Sequence, residues 1–173
     1  MQKIIFSIIL TLSISGCYSI ETNTNYNRKN TWAHAESKPI HVKLQNGKHT
    51  PFYFLLSRNS NNMDYKLTVR WKNAGHGDIL FNGFDTTLKF LIDKTKFITL
   101  HPVSRPKVIA FNLNNRTHEE EGIFILTPEQ FKQLAFAKYV SIELTGRGNT
   151  VYAAFNLYHT SRAFKDFFEN SPQ

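Results

Sequence analysis

Between Tyr65 and Trp71, apolar and polar residues change places at every step. Tyr65, Leu67, Val69 and Trp71 fall on one side of an extended chain, and Lys66, Thr68 and Arg70 on the other. A period of two is the mark of a strand with one buried and one wet face. Further strand candidates occupy residues 40–44, 87–92, 96–100, 107–113, 122–126, 140–144 and 151–157, and 51–56 is aromatic and apolar throughout. Turn formers separate them: Asn46-Gly47, then Gly75-His76-Gly77-Asp78 before Ile79-Leu80-Phe81, and Gly146-Arg147-Gly148-Asn149. The last of these predicts a hairpin.

Two helical patterns interrupt the strands late in the chain. Thr127-Pro128-Glu129-Gln130 offers a capping threonine, a proline at the first helical position and a glutamine able to complete a capping box. Phe131, Leu134 and Ala135 then share one face, and the helix is expected to end near Lys138. A second helix over 160–169 places Ala163, Phe164, Phe167 and Phe168 on one stripe. Docking of that stripe on a core is favoured over a membrane-surface role. Its polar side mixes Arg162 and Lys165 with Asp166 and Glu169, whereas a membrane helix is more uniformly basic. The expected class is α+β: a mostly antiparallel sheet or sandwich with two short helices in the C-terminal half.

The amino terminus carries a different message. Lys3 precedes an apolar stretch over 4–14, followed by Ser15, Gly16 and Cys17. The stretch is short of the roughly 20 residues needed to span a bilayer, and its layout is that of an export signal. Ile14-Ser15-Gly16-Cys17 resembles the lipobox of bacterial type II signal peptides. The resemblance implies cleavage before Cys17, a diacylglyceryl thioether on its sulfur and an acylated new terminus. Several acyl chains, at about 0.8 kcal/mol per buried methylene, would hold the protein to a membrane without a spanning helix. Tyr18 stands where an aspartate often marks inner-membrane retention, so the outer membrane is favoured if the cell has two. Beyond this signal the chain has the look of small uncharacterised bacterial lipoproteins, in its Thr127-Pro128-Glu129-Gln130-Phe131 start and its segment 140–155. That likeness carries over no activity and no functional residues.

Residues 1–16 are thus expected to be a signal peptide, 17–37 a lipidated cysteine and flexible tether, and 38–173 a single domain. The tether reading rests on Asn23, Asn25, Asn27 and Asn30 scattered among polar residues without apolar periodicity. Removing the first 16 of 173 residues leaves 157 and takes only Lys3 from the charged set. The mature chain then has 20 basic and 13 acidic side chains, net +7. Cys17 is the single cysteine, so no intrachain disulfide can form and packing must stabilise the domain, with 14 of the chain's 15 Phe to supply it.

Motifs for chemistry are sparse. Seven histidines occur, yet no His-x-His or HExxH pattern gathers them, and no metal or other cofactor is expected. His118-Glu119-Glu120-Glu121 reads as a solvated acidic loop. His76 and Asp78 read as turn residues, with a polar site as the sharper alternative. No GxSxG, P-loop or dinucleotide fingerprint is present, and no catalytic residue is assigned. Lys66 and Arg70 on the polar face of one strand, with Lys72 just beyond, form a candidate anion-binding surface. Lys94, Lys96, Arg105 and Lys107 lie close in sequence as well. No basic block of nucleic-acid type occurs.

The resulting expectation is a lipid-anchored cell-envelope protein that acts as a binding or accessory module, for an anionic envelope component or an exported protein. The alternatives are a surface-exposed lipoprotein contacting host or environmental molecules, and a hydrolase of envelope polymers.

Overall fold

A computed structural model describes residues 34–45, 52–59, 63–72, 85–112, 117–146 and 149–171. The segment read as an export signal, Cys17, the turn expected at Asn46-Gly47 and the 75–81 segment lie outside the described residues.

In chain order the elements are β1 (His34–Glu36), β2 (Ile40–His41), β3 (Lys43–Leu44), β4 (Phe52–Asn59), β5 (Tyr65–Lys72), β6 (Thr87–Ile92), β7 (Lys96–Leu100), β8 (Lys107–Asn112), β9 (Thr117–Leu126), α1 (Pro128–Ala135), β10 (Val140–Gly146), β11 (Asn149–Ala154) and α2 (Thr160–Asn170). The fold is α+β, as the alternation predicts. A six-stranded antiparallel sheet runs β1-β4-β5-β9-β8, with β2 also on β4, and a five-stranded antiparallel sheet runs β3-β11-β10-β6-β7.

The alternating sequences put their apolar sides together between the two sheets. From the first sheet come Phe52, Phe54, Leu56, Tyr65, Leu67, Val69, Trp71 and Phe124, and from the second Leu88, Phe90, Val140, Ile142, Leu144 and Ala153. The single run at 40–44 serves both. Ile40 and His41 pair with β4, while Lys43 and Leu44 pair with β11. Val42 is buried at the crossover, and its N–H donates to the Phe52 carbonyl.

The two helices contact one another, and α2 also meets β2. Thr127 caps α1 with the full capping box: its hydroxyl accepts from Gln130 N–H while the Gln130 side chain accepts from Thr127 N–H. The helix ends at Ala135, one turn earlier than expected. Phe131 stacks on Tyr65 at 4.0 Å and lies nearly parallel to Phe164 at 5.4 Å. Phe164 and Phe167 are fully buried and Phe168 packs against the same cluster, so the stripe on α2 belongs to the core. Arg58 closes this region. Its Nη1 donates to the Tyr65 hydroxyl at 2.7 Å and to Ser171 Oγ at 3.3 Å, and its guanidinium lies 4.4 Å over the Tyr65 ring. Ser171 is the C-cap of α2, where a cation is favoured by the helix dipole.

Two expectations need correction. Residues 34–37, expected to belong to the flexible tether, join the first sheet: His34–Glu36 pair with Asn59, Arg58 and Ser57 of β4, and Ser37 exchanges hydrogen bonds with the Leu56 backbone. The acidic run at 118–121 is no solvated loop. It forms the first half of β9, with Glu120 and Glu121 both buried.

Candidate functional site

Each sheet has one face turned away from the core, and the two differ in chemistry. On the six-stranded sheet, one cross-strand row runs His41, Tyr53, Arg70, Glu121, Lys107 over five neighbouring strands. Directly opposed side chains in such a row lie close enough to bond. Glu121 Oε2 accepts from Arg70 Nε at 2.8 Å and Oε1 meets Lys107 Nζ at 3.1 Å. The Tyr53 hydroxyl donates to Glu119 Oε1 at 2.6 Å and receives Arg70 Nη1 at 3.5 Å. Burial alone would raise the Glu121 carboxyl, yet its hydrogen bonds from Arg70 and Lys107 hold it below the usual value. Desolvation and the hydrogen bond to Glu119 push the Tyr53 phenol up, and the hydrogen bond with Tyr53 raises Arg70 further.

Lys66, Arg70 and Lys72 of β5 share this outer face, but they do not stand together as free cations. Arg70 is committed to Glu121, and Lys72 lies opposite Glu119 in the register. Lys66 is exposed beside Ser57 and Ile125. The other basic group disperses too. Lys107 joins the ladder, while Lys94 sits at the β6–β7 turn on the opposite sheet.

His118 and Glu120 point from β9 to the core side, with Nε2 and Oε1 3.1 Å apart and Glu120 fully buried. Among the described residues, no group of three or more His, Cys, Asp or Glu side chains could hold a metal ion. No described helix is long and apolar enough to cross a membrane.

The outer face of the five-stranded sheet holds a shallow trough of about 370 Å³. Its floor is polar at the centre. Lys89 of β6 and Glu143 of β10 are direct cross-strand partners, and Nζ meets Oε1 at 3.1 Å. Thr145 Oγ1 donates to the same oxygen at 3.3 Å. Ser141 and half-buried Leu91 form the adjoining row. Gln45 closes one side, its amide donating to the Ala153 carbonyl. Three aromatic rings rise around this floor: Phe97 is 70% exposed, Tyr152 53% and Tyr139 42%. Large rings this exposed do not contribute to the core, and these three meet around one trough.

One corner of the trough is held under strain. The β6–β7 turn has Asp93 at φ 49° and Lys94 at φ 62°, closed by Thr95 N–H to the Ile92 carbonyl at 3.1 Å. Two successive left-handed residues describe a turn usually given to Asn or Asp followed by Gly, so Asp93 suits its place and Lys94, standing where glycine is usual, costs about 1–2 kcal/mol. The conformation is secured from outside. Asp93 Oδ1 accepts from the N–H groups of Lys138 and Tyr139 at 3.0 and 2.9 Å, and Asp93 N–H donates to the Tyr139 carbonyl at 2.8 Å. This clamp fixes Tyr139 and Lys94 together at the rim. Such strain, over-determined by its surroundings, gathers at ligand-facing positions.

The trough escaped the sequence reading because its residues come from widely separated segments, and only strand register unites them. Phe97 carried a signal in hindsight: in 96–100 it is the ring that falls on the polar side of the alternation. No family model, curated protein or solved structure matches the chain.

Proposed function

We propose that this protein is a lipid-anchored envelope module that acts by binding, with the trough on the five-stranded sheet as its contact surface. The anchor reading rests on the Ile14-Ser15-Gly16-Cys17 motif. The observation that carries the binding reading is the trio Phe97, Tyr139 and Tyr152, exposed around a polar floor and braced by a strained, clamped turn. Exposed rings beside fixed hydrogen-bonding groups are the makings of a recognition surface. The ladder on the other sheet is less suited, because its charges already satisfy one another.

Surface labelling of tyrosine and lysine in isolated envelopes and after detergent extraction tests this function. Tyr152 and Lys94 are expected to be protected in the envelope and to react after extraction. Lys66 and Tyr158, on other surfaces, should react equally in both states. The Cys17→Ser chain should leave the membrane fraction or persist as precursor. Equal reactivity of Tyr152 before and after extraction would remove the trough as the contact surface.

A further inference from the structure

We infer that the trough binds an anionic glycan chain; this rests on the proposed binding function and names its ligand class. The polar floor excludes wholly apolar ligands. An acyl chain or an apolar peptide side chain would cover the Lys89–Glu143 pair with nothing to hydrogen-bond it, and burying charged groups that way is costly. A flat, fully polar ligand would leave Phe97 and Tyr152 in water. A pyranose has both characters: C–H groups on its faces, which rest on an aromatic ring, and hydroxyls around its edge, which bond to a polar floor.

The distribution of groups fits that division. Glu143 Oε1 is occupied by Lys89 and Thr145, while among the described residues nothing donates to Oε2, which can accept from a sugar hydroxyl. Lys89 retains N–H donors beyond the one used, as an ammonium has three. Phe97 on β7 and Tyr152 on β11 stand three strand spacings apart, about 14 Å at the usual separation. That span suits a short run of linked sugars and is too long for one. The trough is also open, so a chain can enter and leave along its length.

The charge decides between neutral and acidic sugars. Lys89 and Glu143 cancel, and the Asp93 carboxylate is turned to the backbone of residues 138 and 139. Lys94 is left at the rim as a cation with no ion-pair partner among the described residues. The strained turn holds it there, where it meets a carboxylate or phosphate borne on the sugar chain. Its attraction is partly screened at about 8 Å under physiological salt. The preference for acidic over neutral sugar should therefore be several-fold at low salt and shrink as salt is added.

The test is calorimetric titration of the intact chain, purified in detergent. The probes are a carboxylated oligosaccharide (oligogalacturonate), a neutral one of equal length (chitooligosaccharide), a sugar phosphate and sodium acetate. The oligogalacturonate is expected to bind most tightly and acetate not at all, with the sugar phosphate showing whether phosphate can replace carboxylate. Tyr152→Ala and Phe97→Ala should each weaken oligosaccharide binding about tenfold, as loss of an aromatic anchor does. Lys94→Gln should abolish the preference for acidic over neutral sugar. Because these side chains are exposed, unfolding is not the expected cause, and an unchanged thermal midpoint will check this. Equal binding by the Tyr152→Ala and Phe97→Ala variants would overturn the inference. So would the absence of saccharide binding by a chain whose Tyr152 is protected in envelopes; binding through the trough would then stand with a ligand of another class.

Discussion

Glu121 is an acidic residue kept in a nearly buried site by two cations from flanking strands. Its carboxyl is held below its ordinary value of 4.5 in the folded protein. The unfolded chain therefore takes up the proton first as pH falls. The stabilisation from this group is complete above about 4.5 and is lost as pH drops through the lower, folded value. Denaturant unfolding between pH 3 and 7 should show wild type more stable than Glu121→Gln near neutrality and the gap closing on the acid side. A pH-independent gap would assign the effect to packing. The sequence hid this residue among three consecutive glutamates. Nothing local distinguishes Glu119 and Glu121, which face out to Tyr53, Arg70 and Lys107, from Glu120, which faces in beside His118. Their neutralising partners are brought by strand pairing, and a local reading of an acidic run finds only solvation.

Elements whose signal is local were legible with close bounds. Strands β6 and β7 fall on the expected residues, because alternation and flanking turn formers mark them fully. Helix α1 was recoverable from its capping box and α2 from its apolar stripe. Short elements defined by partners were not. Strand β1 is three residues without a pattern, held by β4, and β2 and β3 look like one strand until the two sheets divide it. The α2 stripe allows a direct check. Phe164 has no exposed surface and touches Phe54, Phe131 and Phe155. Phe164→Ala should lower stability by about 3–5 kcal/mol, as deletion of a buried ring does. The readout is the denaturant midpoint, with helix content retained in the folded baseline. An unchanged midpoint would mean that α2 is not part of the cooperative core.

At the scale of the whole molecule, the class was legible and the surface was not. Core formation obeys a period that can be counted along the chain. The trough depends on which outward side chains become neighbours after four pairings in a second sheet. The segment 40–44, bonded to β4 at one end and to β11 at the other, has a mechanical consequence. Tension applied at the amino terminus loads β1 first, and its three-residue pairing with β4 can peel away without disturbing the core. The load then reaches a segment riveted to both layers through Val42 N–H to Phe52 O and Gln45 N–H to Tyr152 O. Further extension must part the two layers rather than unzip one. Pulling the chain from its amino terminus should therefore give a small early release followed by a single high-force event. Removing the first of these bonds with Val42→Pro, which lacks the N–H, should lower the second force and leave the first unchanged. If the proposed anchor holds the chain at that end, the early release would act as a short extensible leash, and the trough would stay folded while it extends.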